Sequence, residues 1–358
     1  MNSSDGLLFS VETLTDFAAS LLIAANVPDH EAQMVAESLV GSDLRGHASH
    51  GVVRIPDYVR QLQAGELVAD VELDVFNETA SLIAADARFG FGQVQMPALI
   101  ERLESKARAQ GVACGTLRNC GHVGRLGEWV EKVAELGLAG LIAVNDNGVL
   151  QCVAPPGGKS PRISTNPIGI AVPSENGPIV LDISTSAVAN GKIKVAHLSG
   201  QECPAGWLLD SEGNPTTDPA VRFSDPRGTI LPMGGEQGYK GFGLGMLFDM
   251  LVGGLSGGYC PPAPENAHGT NNVLMLVWDP AKFSGREHFL SEVGDLERYV
   301  RDTPRKPDSE SIRLPGDRSR GLIQKHLKEG IPLQLGTWQS LVQLAETWKL
   351  PVPSRESS

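Results

Sequence analysis

The 358-residue sequence is poor in several features that define protein classes. Aromatic residues make up 5%, and the five cysteines form an odd set with no CxxC pair, which argues against a disulfide framework or a cysteine zinc site. No uncharged apolar run reaches the roughly 18 residues that a membrane span needs. The N-terminus lacks the basic and apolar regions of a signal peptide. These absences predict a cytoplasmic protein with no membrane partner.

Positive charge is also scarce in this chain. Lys and Arg number 30 against 42 Asp and Glu, which gives a net charge of −12. No stretch gathers the basic residues that track a phosphate backbone, so we expect no nucleic-acid partner. What the chain does have is 41% apolar residues, enough for one large domain or two medium ones.

Forty-one glycines are present, yet the Gly-rich motifs of common nucleotide-binding and hydrolase folds are missing. No G-x-G-x-x-G lies between a strand and a helix, so a Rossmann dinucleotide site is excluded. The segment Gly157 to Ser160 imitates the end of a phosphate loop, but Val153 stands where that loop needs glycine. The segment Gly254 to Gly258 matches G-x-S-x-G at the end of a helix, where a nucleophile elbow cannot form.

Apolar periodicity divides the chain into helical ends and a β-rich middle. Helical spacing runs to about Gly65, and further helices are predicted near Glu287 to Val300, Ser319 to Lys328 and Thr337 to Trp348. Between them, short apolar runs alternate with helices, including a Gly-rich helix from about Lys240 to Leu255. Strands are predicted at ASLIAAD, GVACGTL, LAGLIAV, IGIAVP, PIVLDI and NNVLMLVWD.

This pattern predicts an α/β fold with a helical lobe formed by both chain ends. We assign residues 1–78 and 286–358 to that lobe, and residues 79–285 to a β-rich lobe.

The stretch SDLRGHASHGVVRIPDYVRQLQAG, from Ser42 to Gly65, concentrates polar residues suited to catalysis. If a helix begins near Ser49, His50 lies in its first turn and Arg54 follows four residues later on the same face. The helix dipole would favour a neutral imidazole base, and an arginine fork suits a carboxylate. A base beside a carboxylate anchor is what oxidation of a 2-hydroxy acid requires.

Two other interpretations of this stretch stay open on spacing alone. Asp43, His47 and His50 could be metal ligands of a hydrolase, since H-x-x-H places two imidazoles on one helical face. His50 and Arg54 could equally be ordinary polar residues of a surface helix.

Two further positions carry polar residues beside predicted strands. His122, in RNCGHVGRLGEWVE, follows an apolar run and precedes an amphipathic helix, so it either lines a ligand site or caps that helix. Asp182 ends the strand PIVLDI before three short hydroxyl residues, Ser184 to Ser186. It either caps the next helix or orients a histidine from elsewhere in the fold.

Taken together, these stretches resemble the malate/L-lactate dehydrogenase family that is unrelated to the Rossmann-type enzymes. The chain looks closest to the bacterial hydroxycarboxylate dehydrogenases of that family. The resemblance covers nearly the whole chain and rests on motifs in the family's order: RGHASHGVVRIPDY, FGFGQV, NCGHVGRLGEW, STNPIGIAVP, LDISTSAVANGK, GNPTTDPA, GYKGFGL and LPGDRSR.

The resemblance implies a role for each polar residue described above and no metal. His50 would be the acid/base, Arg54 would bind the substrate carboxylate, and His122 would line the same pocket. Ser49 and Asp182 would orient His50. A carboxylate from Asp182 would raise the pKa of His50 against the helix dipole and leave it near neutrality.

The resemblance also implies a nicotinamide cofactor bound on a mixed sheet without the Rossmann fingerprint. Family members form homodimers that share active sites, and the acidic composition here favours NAD over NADP. Asp317 stands where the family often has Glu. A cyclic-imine carboxylate reductase on the same scaffold is the alternative activity. The implied cofactor residues are Asp146, Asn166, Asp182, Ile183, Ser184, Thr185, Lys240, Gly241, Gly316 and Asp317.

Overall fold

The computed structural model describes residues 7–308 and 311–353. Its strands are β1 Leu7–Phe9, β2 Asp74–Glu78, β3 Leu82–Asp86, β4 Val112–Cys120, β5 Ala139–Asn145, β6 Ile168–Val172, β7 Ile179–Ile183, β8 Leu208–Leu209, β9 Pro215–Thr216, β10 Thr229–Ile230, β11 Asn271–Trp278 and β12 Ile331–Leu333. Its α-helices are α1 Val11–Ala24, α2 Asp29–Leu44, α3 Ile55–Ala64, α4 Gly92–Gln110, α5 Leu126–Glu135, α6 Asn190–Leu198, α7 Tyr239–Ser256, α8 Arg286–Arg301, α9 Asp317–Glu329 and α10 Leu335–Thr347.

Seven strands form one mixed sheet in the order β2-β3-β4-β11-β5-β6-β7. The pair β3–β4 is parallel, and the other neighbours are antiparallel. The central strand β11 is apolar on both faces because both are covered. Met275 packs in the cluster with α4 and α5, whereas Leu274 packs with Val252 of α7 on the opposite face. The predicted mixed sheet with helices is confirmed.

The two chain ends meet in a second apolar cluster, as the periodicity predicts. Strand β1 pairs antiparallel with β12, with Leu7 opposite Leu333. Residues of α1, α2, α3 and α10 pack around this pair and bury Phe9 and Trp338, whose ring centroids are 4.4 Å apart. The division into lobes at residues 78 and 286 stays a prediction. Strand β2 pairs into the large sheet although it precedes that boundary.

A third apolar cluster and the strands β8, β9 and β10 were not predicted from the sequence. Each of these strands has two residues, which is too short for an alternating pattern to be visible. No helix in the described part of the chain is long and apolar enough to cross a membrane.

The predicted start of the third helix near Ser49 is wrong. Helix α3 begins at Ile55, and two 3-10 turns, Ala48–His50 and Val52–Arg54, precede it. Gly51 separates the turns in an extended conformation with ψ −155°, and Pro56 occupies the first helical turn, where proline is favoured. His50 therefore does not lie in the first turn of an α-helix.

Candidate active site

The two 3-10 turns carry the predicted base and the predicted anchor. His50 ends the first turn, and its Nδ1 lies 3.0 Å from Ser49 Oγ. Its ring stacks on that of His122, with centroids 5.6 Å apart and an interplanar angle of 22°. His122 lies two residues after the end of β4 at Cys120, so the predicted position at the end of a strand is confirmed.

Arg54 reaches His122 from the end of the second turn. Its Nη2 lies 3.4 Å from His122 Nε2, and its Nη1 lies 3.6 Å from a carboxylate oxygen of Asp57. The Arg54 Nε is buried and has no hydrogen-bond partner among the described residues. A buried guanidinium nitrogen without a partner is available to an incoming acceptor such as a substrate carboxylate.

Two residues that the sequence did not indicate fix the orientation of His122. Tyr58 Oη lies 2.8 Å from His122 Nδ1 and accepts a hydrogen bond of 2.9 Å from Gln93 Nε2. Because Arg54 can only donate, its contact requires His122 Nε2 to be the acceptor. The ring proton of a neutral His122 then lies on Nδ1 and points to Tyr58.

Burial and nearby cations keep the site histidines neutral. Burial, followed by the charge of Arg54, lowers the pKa of His50 to about 3. The same two causes hold the pKa of His122 well below its usual range. Burial raises the pKa of the Tyr58 hydroxyl to about 12. The structure does not support the expected near-neutral pKa of His50, because burial and the charges of Arg54, His47 and Arg125 all lower it.

Asp182 contacts a helix start rather than His50. Its Oδ2 accepts a 2.7 Å hydrogen bond from Gly127 N in the first turn of α5, which precedes Asp182 in the chain. The predicted cap of the next helix is wrong, because α6 has no side-chain cap. Burial raises the pKa of Asp182, against the opposing effects of this hydrogen bond and Arg125. The observed neighbour of His50 Nδ1 is Ser49. A role for Asp182 in orienting His50 stays a prediction.

Asp182 also lines a cavity of about 200 Å³ between β7 and the start of α9. Gly316, His47 and Arg125 line the same cavity. Burial, followed by the charges of Arg125 and Arg318, lowers the pKa of His47 to about 4. Two of the predicted cofactor residues, Asp182 and Gly316, thus face one cavity with basic groups around it.

A second set of predicted cofactor residues lies beneath α7. Asn166 Nδ2 donates to Asp249 Oδ2 at 2.7 Å, and Asp146 Oδ2 accepts from Leu150 N at 2.7 Å. Oδ1 of Asn166 and Oδ1 of Asp146 are buried without a hydrogen-bond partner among the described residues. Orphaned buried acceptors call for a donor, and the carboxamide and ribose hydroxyls of a nicotinamide nucleotide supply donors. The residues present therefore fit the implied cofactor.

Further predicted cofactor residues are Thr185, Gly241, Lys240, Ile183 and Ser184. Thr185 Oγ1 donates to Thr165 O at 3.0 Å, while its own carbonyl accepts from Met233 N. A Cβ at Gly241 would overlap the Met233 backbone, so the absence of a side chain there brings α7 close to this segment. Lys240 is exposed, with its ammonium 6.0 Å from the Tyr239 ring centroid. Ile183 ends β7, and Ser184 donates to Ser186 O.

Asp317 is already engaged by the chain's own groups. Its carboxylate accepts from Leu314 N at 2.8 Å and forms ion pairs with Arg301 and Arg320 at 2.8 and 2.6 Å. The hydrogen bond from Arg301 is the largest cause of its strongly lowered pKa. These contacts indicate that Asp317 anchors the start of α9, and its predicted contact with the cofactor remains untested.

The three residues of the alternative metal site do not share a ligand position. Asp43 accepts from Val52 N, His50 contacts Ser49, and His47 Nε2 lies 3.5 Å from Ser319 Oγ. Within residues 7–308 and 311–353, no group of three or more His, Cys, Asp or Glu side chains could hold a metal ion.

A half-buried histidine–arginine pair beside a mixed sheet with unpartnered acceptors is suited to a nicotinamide-dependent α/β oxidoreductase. The chain belongs to the malate/L-lactate dehydrogenase family, whose model matches residues 9–342. The L-lactate dehydrogenase of Cupriavidus necator is 32% identical, over 96% of this chain and 99% of that protein. Hydroxycarboxylate dehydrogenase B of Escherichia coli is also 32% identical, over 97% of this chain and 96% of that protein.

A solved structure with a different activity in its name shares the fold. The delta1-piperideine-2-carboxylate reductase of Pseudomonas syringae pvar. tomato is 31% identical and superposes with a TM-score of 0.82. The match covers 94% of this chain and 99% of that one. The predicted family, fold class and activity class, an NAD(P)-dependent oxidoreductase of 2-hydroxy acids, are confirmed.

Proposed function

We propose that this enzyme interconverts a 2-hydroxy acid and its 2-oxo acid with His50 as the acid/base and Arg54 as the carboxylate anchor. The observation that carries the proposal is the continuous contact of Arg54 with His122 and of His122 with His50. A 2-hydroxy acid presents a carboxylate and a hydroxyl on adjacent carbons. A fixed cation next to a proton acceptor matches that pair of groups.

In the oxidising direction, Arg54 holds the substrate carboxylate and His50 takes the hydroxyl proton. When His50 Nδ1–H donates to Ser49 Oγ, Nε2 keeps the lone pair that accepts this proton. A nicotinamide cofactor bound at this site would supply the hydride-transfer chemistry of the oxidation. In the reducing direction His50 returns the proton to the carbonyl oxygen.

The low pKa of His50 in the free chain is compatible with this role. Burial and the charge of Arg54 are the two largest causes that lower it. A substrate carboxylate paired with Arg54 would offset the second cause and raise the pKa of His50 toward the working pH. The base would thus become stronger when the substrate is in place.

The cofactor would be held by the residues at the end of β7 and beneath α7. Asp146 and Asn166 offer orphaned acceptors, Asp182 and Gly316 face the cavity, and Thr185 lies between the two sets. We also propose NAD over NADP, because the chain's acidic balance gives the 2′-phosphate of NADP less attraction. A lower KM for NADPH than for NADH would reverse that preference.

We further propose a homodimer with shared active sites. Helix α7 exposes a stripe of five large apolar side chains, each between 38% and 57% exposed: Leu244, Leu247, Met250, Leu251 and Leu255. A contiguous exposed apolar patch marks an interaction surface. The opposite face of α7 carries Asp249, which holds Asn166, so this surface lies behind a predicted cofactor residue. A Leu247→Glu and Leu251→Glu variant should be monomeric by light scattering; a dimer that persists would place the interface elsewhere.

A cyclic-imine carboxylate reductase is the second candidate, because a solved relative bears that name. An imine carboxylate presents the same carboxylate to Arg54 and needs the same proton at nitrogen. The test is NADH or NADPH oxidation at about 340 nm with a panel of 2-oxo acids and cyclic-imine carboxylates. We expect higher kcat/KM for a 2-oxo acid, and turnover confined to the imines would favour the reductase.

The two-lobe division and cytoplasmic location remain part of this proposal. The cluster at the chain ends and the cluster around the sheet support two lobes, from 1–78 with 286–358 and from 79–285. The five cysteines are free thiols, as is usual for proteins of a reducing compartment.

A further inference from the structure

Asp43 is a buried carboxyl group that contacts the chain between His50 and Arg54. It lies in the last turn of α2 and is 5% exposed. Its Oδ2 accepts a 2.8 Å hydrogen bond from Val52 N. Val52 is the middle residue of the three that connect His50 to Arg54, so this bond holds the segment that sets the spacing of the two groups.

Gly51 forms the other side of the same contact. A Cβ built at Gly51 would overlap Cγ and both carboxylate oxygens of Asp43. Glycine at this position therefore lets the backbone lie directly against the carboxyl group. The extended conformation of Gly51 separates the two 3-10 turns, and Arg54 N donates to Gly51 O at 3.0 Å.

We propose that Asp43 is a positioning residue that fixes the distance between the proton-transfer group His50 and the carboxylate anchor Arg54 by holding the Gly51–Val52 backbone. This inference rests on the proposed roles of His50 and Arg54. Asp43 acts on the reaction through them and does not touch the substrate. Its effect should be large because a small displacement of a reacting group lowers the rate steeply.

The chain offers a matched control on the same helix. Glu31, in the first turn of α2, is 3% exposed and accepts a hydrogen bond from Asp70 N at 3.1 Å. Like Asp43, Glu31 is a buried carboxyl group that accepts a hydrogen bond from the backbone N–H of another segment. It lies twelve residues before Asp43, about 18 Å along the helix. Loss of either carboxyl group should lower stability, but loss of Asp43 should also alter catalysis.

The test compares Asp43→Ala, Asp43→Asn and Glu31→Ala in steady-state reduction of the best 2-oxo acid. Asp43→Ala should lower kcat and raise KM for the oxo acid, with kcat/KM reduced at least about tenfold, while the Kd for NADH stays near the wild-type value. Asp43→Asn keeps an acceptor oxygen for Val52 N and should recover most of the activity. Burial raises the pKa of Asp43 to about 7, so an uncharged amide suits the site. Glu31→Ala should lower Tm with kcat and KM near wild type.

A second pair of variants approaches the contact from the glycine side. Gly51→Ala should lower kcat/KM in the same way as Asp43→Ala, because the added methyl group displaces the carboxyl group. Shortening Asp43 to Ser in the Gly51→Ala background should recover part of that loss, since the two changes act on one contact. This pair keeps the test decisive if Asp43→Ala does not fold.

Two results would overturn the inference. The first is an Asp43→Ala variant that keeps wild-type kcat/KM, as Glu31→Ala is expected to do. The second is an Asp43→Asn variant as impaired as Asp43→Ala, which would mean that the acceptor oxygen is not what positions the turn. Failure of the proposed function would be separate, because His50→Ala and Arg54→Lys would then also be silent.

Discussion

The residues predicted to act on the substrate and those predicted to hold the cofactor are organised differently. The substrate residues form one chain of contacts, from His50 through His122 to Arg54, braced by Tyr58. The cofactor residues fall into a set beneath α7 and a set at the cavity beside α9, with the end of β7 between them.

The two regions also differ in which of their buried polar groups lack a hydrogen-bond partner within the chain. In the substrate region most polar groups contact one another, and Arg54 Nε and Gln93 Oε1 are buried without a partner among the described residues. In the cofactor region two acceptor oxygens, on Asp146 and Asn166, are left unpaired. Loss of a substrate residue should therefore disturb orientation and proton transfer, whereas loss of a cofactor residue should weaken binding.

The largest expected effect is on the proton-transfer group. His50→Ala should lower kcat by about 100-fold or more, the usual contribution of general acid/base catalysis. NADH binding, measured by fluorescence, should persist because His50 belongs to the substrate region. The exposed His197, which stacks on Phe223, provides the control variant His197→Ala. Near-normal kcat of His50→Ala over about pH 6 to 9 would transfer the role to His122.

The carboxylate anchor should come second. Arg54→Lys keeps the charge but loses the planar fork, and we expect a loss of roughly 2 kcal/mol in kcat/KM, about 30-fold. Arg60→Lys, at an exposed ion pair with Glu66, should be silent. An unchanged kcat/KM for Arg54→Lys would place the anchor elsewhere, with Arg125 at the cavity as the next candidate.

A change in the cofactor region should be smaller and confined to binding. In Asp146→Asn, the amide oxygen must remain opposite Leu150 N, so the NH₂ group replaces the orphaned Oδ1. A donor would then face the donor expected from the cofactor. We predict about tenfold weaker NADH binding by fluorescence titration. The half-buried turn residue Asp210 supplies the control variant Asp210→Asn. An unchanged Kd for Asp146→Asn would remove Asp146 from the cofactor site.

The smallest effect should come from the residue that orients His122. Tyr58→Phe removes the hydroxyl that contacts His122 Nδ1 and accepts from Gln93. A loss of about 1 kcal/mol should raise KM for the 2-oxo acid about fivefold, with kcat nearly unchanged. Tyr299→Phe, at a 78% exposed position, is the control. A loss in kcat of similar size would instead assign Tyr58 to the chemical step.

The sequence predicted the elements whose apolar pattern is long and regular. The run NNVLMLVWD lies at the sheet centre as β11, and the Gly-rich helix near Lys240 to Leu255 is α7. The start of α3 was misplaced because the spacing of His50 and Arg54 outweighed the break signals of Gly51 and Pro56.

Within the site, local motifs identified the side chains predicted to react but not the residues that orient them. Tyr58 lies four residues after Arg54, a helical spacing that was visible in the sequence. Gln93 contacts Tyr58 across 35 positions of chain, a distance at which no local pattern gives a signal. The contact of Asp182 with Gly127 across 55 positions was equally invisible, because the capping preference of aspartate indicated the next helix and not the preceding α5.

The central claim, that His50 carries the proton beside a carboxylate bound to Arg54, can be tested by proton uptake. In the free enzyme the pKa of His50 is about 3, so the imidazole is neutral at neutral pH. A carboxylate paired with Arg54 offsets the second-largest cause of that lowering. The account requires the pKa of His50 then to reach the working pH, so that the imidazole takes up a proton. Oxamate, a 2-oxo acid analogue, mixed with the enzyme–NADH complex in weak buffer with an indicator dye, reports this uptake. Uptake approaching one proton per site in the wild type and none in His50→Ala is the predicted result, and equal uptake in both, or none in either, would contradict the account.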